Sequence, residues 1–352
     1  MTRSLVDRIV AATLYEGYIL YPYRPTSVKN QVRWTFGGVF PRGYAEQSGG
    51  TERSAVATEC LLRAGADARL SVTARFLHPV TRTVLQLSEP VRTLTDHDVA
   101  RATAVASLDA GSRRHVSWEE ATERSVDAGT YDVGLLLDAP RTVSVTFPAH
   151  SEREPVDRGD GIIVGVIERA WQELAVSVSI SAHEHLEESA CAIRVEVSNT
   201  TDADGITRDA ALLHALVSAH VVLNAQGASW LSLADPPDDA RGAAAACVND
   251  GLWPVLISDA CADDTVLASP IILEDHPQIA PESAGDLFDA TEIDEILSLR
   301  ILALTDDEKD EMRAADARSR DLLERTESLT GEEFMRMHGT IRELRPVPGD
   351  RA

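Results

Sequence analysis

The residues best suited to chemistry stand together at Glu274, Asp275 and His276. They lie in the stretch IILEDHPQIAPESAGDLFDATEIDEIL, Ile271 to Leu297. In an extended strand Glu274 and His276 face one way and Asp275 the other. A carboxylate and an imidazole on one face, completed by Glu282 or Asp286, would form an N/O site suited to iron, manganese or zinc. No H-E-x-x-H motif accompanies them. A plainer account fits the same residues: His276 hydrogen-bonds a loop, and the acids meet solvent or helix N-termini. Asp289, Glu292 and Asp294 need only the helix dipole, which favours carboxylates in a first turn. A metal-dependent enzyme or metal carrier is therefore the alternative expectation, and no resident cofactor is expected.

Other chemistries find less support. His183 and His185 would share one face of a strand, but no third ligand stands nearby, and a polar hairpin tip beside Glu184, Glu187 and Glu188 explains them. The four cysteines, Cys60, Cys191, Cys247 and Cys261, form no C-x-x-C pair, which argues against zinc ribbons and redox motifs. A redox sensor using Cys247 and Cys261 remains a weaker option. No G-x-S-x-G elbow, G-x-G-x-x-G or phosphate-binding loop occurs, so neither nucleophilic catalysis nor nucleotide binding is expected.

The amino-terminal segment is unusual. Tyr15, Tyr18, Tyr21 and Tyr23 are four of the six tyrosines. Trp34, Phe36 and Phe40 follow, interleaved with Arg24, Lys29, Arg33 and Arg42. This is a locally basic, aromatic patch in an acidic chain. Tyr, Trp and Arg are the usual anchors of protein interfaces, so Tyr15, Tyr18, Tyr21, Tyr23, Arg24, Lys29, Arg33 and Trp34 are candidate partner-binding residues. A core-covering segment with hydrogen-bonded hydroxyls is the equal alternative.

The whole chain has 352 residues and a formal net charge of −24, from 57 acidic and 33 basic side chains. That field repels nucleic acid and anionic membrane surfaces. Apolar residues make up 44%, enough for a full core. No run of about 18 apolar residues exists, so no membrane span is expected. The first residues, MTRSLVDRIVAATLYEGY, lack the apolar core of a signal peptide. A cytoplasmic location follows as the expectation.

The elements that must position these residues read as α+β, with mainly antiparallel sheet, sandwich-like or a meander, in the first two thirds and a helical C-terminal region. Residues 4–14 suit a short helix or an extended continuation. Leu70, Val72, Ala74 and Phe76 alternate as a half-buried strand, with TVLQLS as its expected partner. Residues 95–128 read as a helical or loop excursion, and RTVSVTFP as a strand. GIIVGVIERAW, ELAVSVSISA and CAIRVEVSNTT are three strands in series. Leu212, Leu213, Leu216 and Val217 have helical spacing, and HVVLNAQGASWLSL suggests a hairpin turning at Asn224 and Gly227. Thr291, Thr305 and Thr330 each have an acid three residues later, which predicts helices over 291–303, 305–327 and 330–343. The expected domains are 1–287, a mainly β unit, and 288–345, helices packed on it, with 346–352 frayed.

Several segments together resemble an uncharacterised bacterial protein family associated with nickel–iron hydrogenase gene clusters. They are LYEGYILYPYRPTSVKNQVRWTFGGVFP, SAHVVL, SLADPP, WPVL, SPIILEDHPQIAPESAGDLFDATEIDEILSLRILALTDDEK and MHGTIRELRP. The likeness is strongest over residues 14–42 and 212–343. It implies a non-catalytic accessory role in the assembly, maturation or stability of a hydrogenase, through contacts with a hydrogenase subunit or maturation protein. It implies no reaction and assigns no catalytic residue.

Overall fold

A computed structural model describes residues 5–16, 18, 27, 30, 34, 37–185, 190–257, 263–277 and 294–332. The fold is organised by one strand, β1, which runs without interruption from Ala55 to Val91. DARLSVTARFLHP and TVLQLS, expected to pair with each other, are consecutive parts of it. Alternation explains the length. Cys60, Leu62, Leu70, Val72, Ala74 and Phe76 all point into the main core, and that period holds the backbone extended.

The remaining strands are β2 (Thr103–Val105), β3 (Ser107–Ala110), β4 (Arg113–Val116), β5 (Trp118–Asp132), β6 (Arg141–Phe147), β7 (His150–Asp157), β8 (Ile163–Trp171), β9 (Leu174–His185), β10 (Ala190–Asn199), β11 (Val217–Leu231), β12 (Trp253–Leu256) and β13 (Thr265–Ser269). Leu61 and Leu62 pair with β10 and β11 at once, so these two lie on opposite edges of β1. Residues Arg69 to Arg75, and Leu77, pair with both β11 and β5, and Thr81 and Arg82 with both β5 and β8. One edge of β1 therefore carries β10, β5 and β2 in succession, and the other β11 and then β8. Pro79, which has no amide to donate, falls between the last β11 partner at Leu77 and the first β8 partner at Thr81.

The sheet is mostly antiparallel and curls into a half-barrel rather than a sandwich. The inner face buries Val176, Val178, Ile180, Ile193, Val195 and Val197 from the β9–β10 hairpin against the inward residues of β1. β8 leaves this series: it pairs with β1 and β7, not with β9. The expected excursion at 95–128 is mainly strand, with one helical turn at Asp96–Ala100. Helical spacing at 212–217 also misleads. The helix stops at Leu212, and Val217 opens β11. Asn224 and Gly227 make no hairpin turn there. Asn224 lies opposite Ser71, and Gly227, at φ 68°, sits where β11 slips its register against Ala64 and Arg69.

Residues Leu5–Leu14 form a helix, whose Ile9 and Val10 pack on Val255, Ile257 and Leu267. A second core joins Leu77 and Val217 of the sheet to Ile301, Met312, Leu322 and Leu323 of the C-terminal helices and to Leu304 in the link between two of them. Each fully buried side chain of this size contributes about 1.5–3 kcal/mol, which is what docks the helices. Their elements are Asp294–Leu302, Asp306–Ala315 and Ala317–Glu327. Thr305 and Glu308 form a complete capping box. The expected single helix over 305–327 breaks at Asp316, which is extended at φ −151° and ψ −179° and caps the next helix by accepting Ser319 N–H at 2.8 Å. Thr291, most of the expected 330–343 helix and the 287/288 boundary lie outside the described residues.

Candidate functional site

Glu274, Asp275 and His276 do not converge on a common point. Asp275 is committed to the fold: its Oδ1 accepts the Leu256 amide at 2.8 Å and its Oδ2 accepts the Ser232 hydroxyl at 2.5 Å. The His276 amide donates to Leu256 O at 2.7 Å. These bonds satisfy the outer edge of β12, a row of backbone groups that would otherwise be open. His276 adopts φ 54°, a left-handed conformation costly for a side chain with a Cβ, to make that bond. Its ring lies 3.6 Å from Asp263, both half exposed. Glu274 is exposed. No group of three metal-ligating side chains occurs among the described residues, and Glu282 and Asp286 fall outside them. His183 is exposed on β9, and the side chain of His185 lies outside the described residues.

Of the candidate interface residues, Tyr15, Tyr18 and Trp34 are buried. They belong to the second core and tie the N-terminal segment to the C-terminal helices. The Tyr18 hydroxyl donates to Asp316 Oδ2 at 2.6 Å. The Arg318 guanidinium lies over the Tyr15 ring, 3.3 Å from its centroid. Burial pushes the Tyr15 pKa up, with Arg318 opposing it. For these three the core-covering account holds, because rings enclosed on all sides offer a partner nothing. Tyr21, Tyr23, Arg24, Lys29 and Arg33 lie outside the described residues.

One further cleft was not signalled by any motif. It is a cleft of about 550 Å³ between the sheet and the C-terminal helices. The β3–β4 hairpin supplies Asp109, Arg113, Arg114 and His115, the sheet supplies Arg82, Glu120, Glu154 and Arg169, and the helices supply Asp310, Arg313, Asp316 and Arg320. Arg169 bridges Glu120 at 2.8 Å and Glu154 at 2.9 Å. Arg82 is buried, with its Nε 3.4 Å from Glu120. Its Nη1 donates to Ala315 O and, at 3.1 Å, to Ala314 O. A guanidinium from β1 thus satisfies the orphan carbonyls at a helix C-terminus, the physical reason the chain can leave the helix at Asp316. Burial lowers the Arg82 pKa, against the pull of Glu120. Burial, then Arg82, also lower that of His115.

Three thiols are free. Burial pushes Cys60 up to about 12, and Cys191 and Cys247 to about 11, so none is a thiolate at neutral pH. Cys261 lies outside the described residues. No helix among the described residues is long and apolar enough to cross a membrane.

No protein-family model matches the chain, and no curated protein matches it significantly.

Proposed function

We propose that this protein is a non-catalytic, cytoplasmic accessory protein that assists the assembly, maturation or stability of a nickel–iron hydrogenase through protein–protein contacts. The choice of partner rests on the resemblance of its segments to the hydrogenase-associated family. What supports a contact surface is where those segments lie. Ser218–Leu223, Ser232–Pro237, Trp253–Leu256 and Ser269–His276 are scattered in sequence. Ser218–Leu223 lies in β11 and Trp253–Leu256 is β12; β13 pairs with both, and the loop that follows β13 is held to β12 and to Ser232 by Asp275. On this unit Trp253 is 41% and Ile272 76% exposed. The exposure of an indole on the edge strand and of an aliphatic on the loop that follows β13 carries the reading, since such residues anchor interfaces when buried by a partner.

The test is co-purification of hydrogenase subunits with the tagged protein, alongside Trp253→Ala and Ile272→Asp. Both side chains are exposed, so the variants are expected to keep the native thermal midpoint and lose the partner. Normal hydrogenase assembly in a strain lacking this gene, or undiminished capture by the double variant, would refute the reading.

A further inference from the structure

The arginine-lined cleft shares no residue with the β12 edge and needs its own account. Six arginines and seven carboxylates line it, so it is close to neutral inside a chain of net charge −24. Most of these charges are already used. Arg82 and Arg169 hold Glu120, Arg169 holds Glu154, Arg114 lies 3.4 Å from Asp109, and Arg313 lies 2.9 Å from Asp310. Asp316 is spent on Tyr18 and Ser319. Four groups remain: Arg113 on the hairpin wall, and Arg320, Asp307 and Glu324 on the helix wall. Among the described residues none of the four takes part in an ion pair within 4.0 Å. Arg320 is also partly oriented, its Nε donating to Arg313 O at 3.3 Å with both terminal nitrogens left over.

We propose that this cleft binds a small zwitterion, a free amino acid or short peptide, whose carboxylate is received by Arg113 and Arg320 and whose ammonium is received by Asp307 and Glu324. Three considerations select this class. A guanidinium presents a planar fork that matches a carboxylate, and two arginines from facing walls are unspent. Two unspent carboxylates in the same cleft would repel a plain anion but complement a ligand that also carries a cation. The volume lies within the roughly 300–1,000 Å³ of small-ligand sites. The paired arginines and acids beneath form a platform already locked by ion pairs and by the helix carbonyls, so little has to be ordered on binding.

The experiment is calorimetric titration of the full chain, in about 150 mM salt, with triglycine, N-acetyl-triglycine and triglycine amide. These probes carry both charges, the carboxylate alone and the ammonium alone. Saturable binding of triglycine is expected, at least tenfold tighter than either blocked form. Arg113→Gln with Arg320→Gln, and separately Asp307→Asn with Glu324→Gln, should each abolish that preference. All four positions are unpaired, so the variants should fold with the parent's thermal midpoint. Either of two results overturns the proposal: no saturable triglycine binding at about 10 mM, or a blocked form binding as tightly as the zwitterion.

Discussion

Stability should fall as pH drops from 7 towards 4, and two histidines should cause most of the loss. His78 and His220 are both 0% exposed, on opposite faces of the sheet. His220 donates Nδ1–H to Ser218 O at 3.0 Å. Its Nε2, and both nitrogens of His78, lack a partner of good hydrogen-bond geometry among the described residues. Burial lowers each pKa to about 4. Arg124 adds to this at His78 and outweighs the Leu213 backbone, while Arg75 adds to it at His220. Both rings stay neutral in the fold down to about pH 4, whereas the unfolded chain protonates them near pH 6.5. Between those values the unfolded state binds more protons, so falling pH favours it. One proton difference is worth about 1.4 kcal/mol per pH unit, giving roughly 3 kcal/mol per histidine across the window. The two together, roughly 6 kcal/mol, are comparable to the whole stability of a folded domain at the low end of the usual 5–15 kcal/mol. Urea unfolding at pH 7.0, 6.0, 5.0 and 4.5 measures this for the parent, His78→Leu and His220→Leu. Each substitution should remove about 1.4 kcal/mol per pH unit from the slope. A slope unchanged by both substitutions would refute the argument.

Asp316→Ala should cost about 2–4 kcal/mol, because it removes a helix cap and the hydrogen bond that Asp316 accepts from the Tyr18 hydroxyl. Tyr18→Phe should cost about 1 kcal/mol, and the double variant less than the sum, read by urea unfolding. Asp275→Ala should lower stability by about 1–3 kcal/mol by opening the β12 edge, with no change in bound transition metal by elemental analysis. Stoichiometric metal in the parent, lost in this variant, would reverse the structural assignment of Asp275.

What was readable in the sequence was what neighbours in the chain decide. The Thr305–Glu308 box is a four-residue event, and the alternation of Ile193, Val195 and Val197 needs only one strand. What was not readable depends on partners far away. Leu216 and Val217 have helical spacing, yet Leu216 bridges Val39 and Val217 pairs with Leu77. Tertiary pairing overrides a weak local preference there. Gly227 has the chemistry of a turn and serves a register slip instead. Tyr15 and Tyr18 were legible as special but not as buried, because one residue type suits a core edge and an interface equally. The cleft had no local signal at all: Arg82, Arg113, Arg169 and Arg320 are gathered only by the sheet pairing and by the helix that Arg82 terminates.

The length of β1 also sets how this chain can fold. Among the described residues, every strand that pairs with β1, from β2 to β11, lies downstream of it in sequence. During synthesis at about 5–20 residues per second, β1 emerges as a long ribbon with one apolar face, ahead of the strands that pair with its edges, and waits on the order of ten seconds for β11. Such an exposed template invites pairing with another nascent chain. Yield in cells should therefore respond to holdase chaperones and to growth temperature more than the equilibrium stability of the finished fold would suggest.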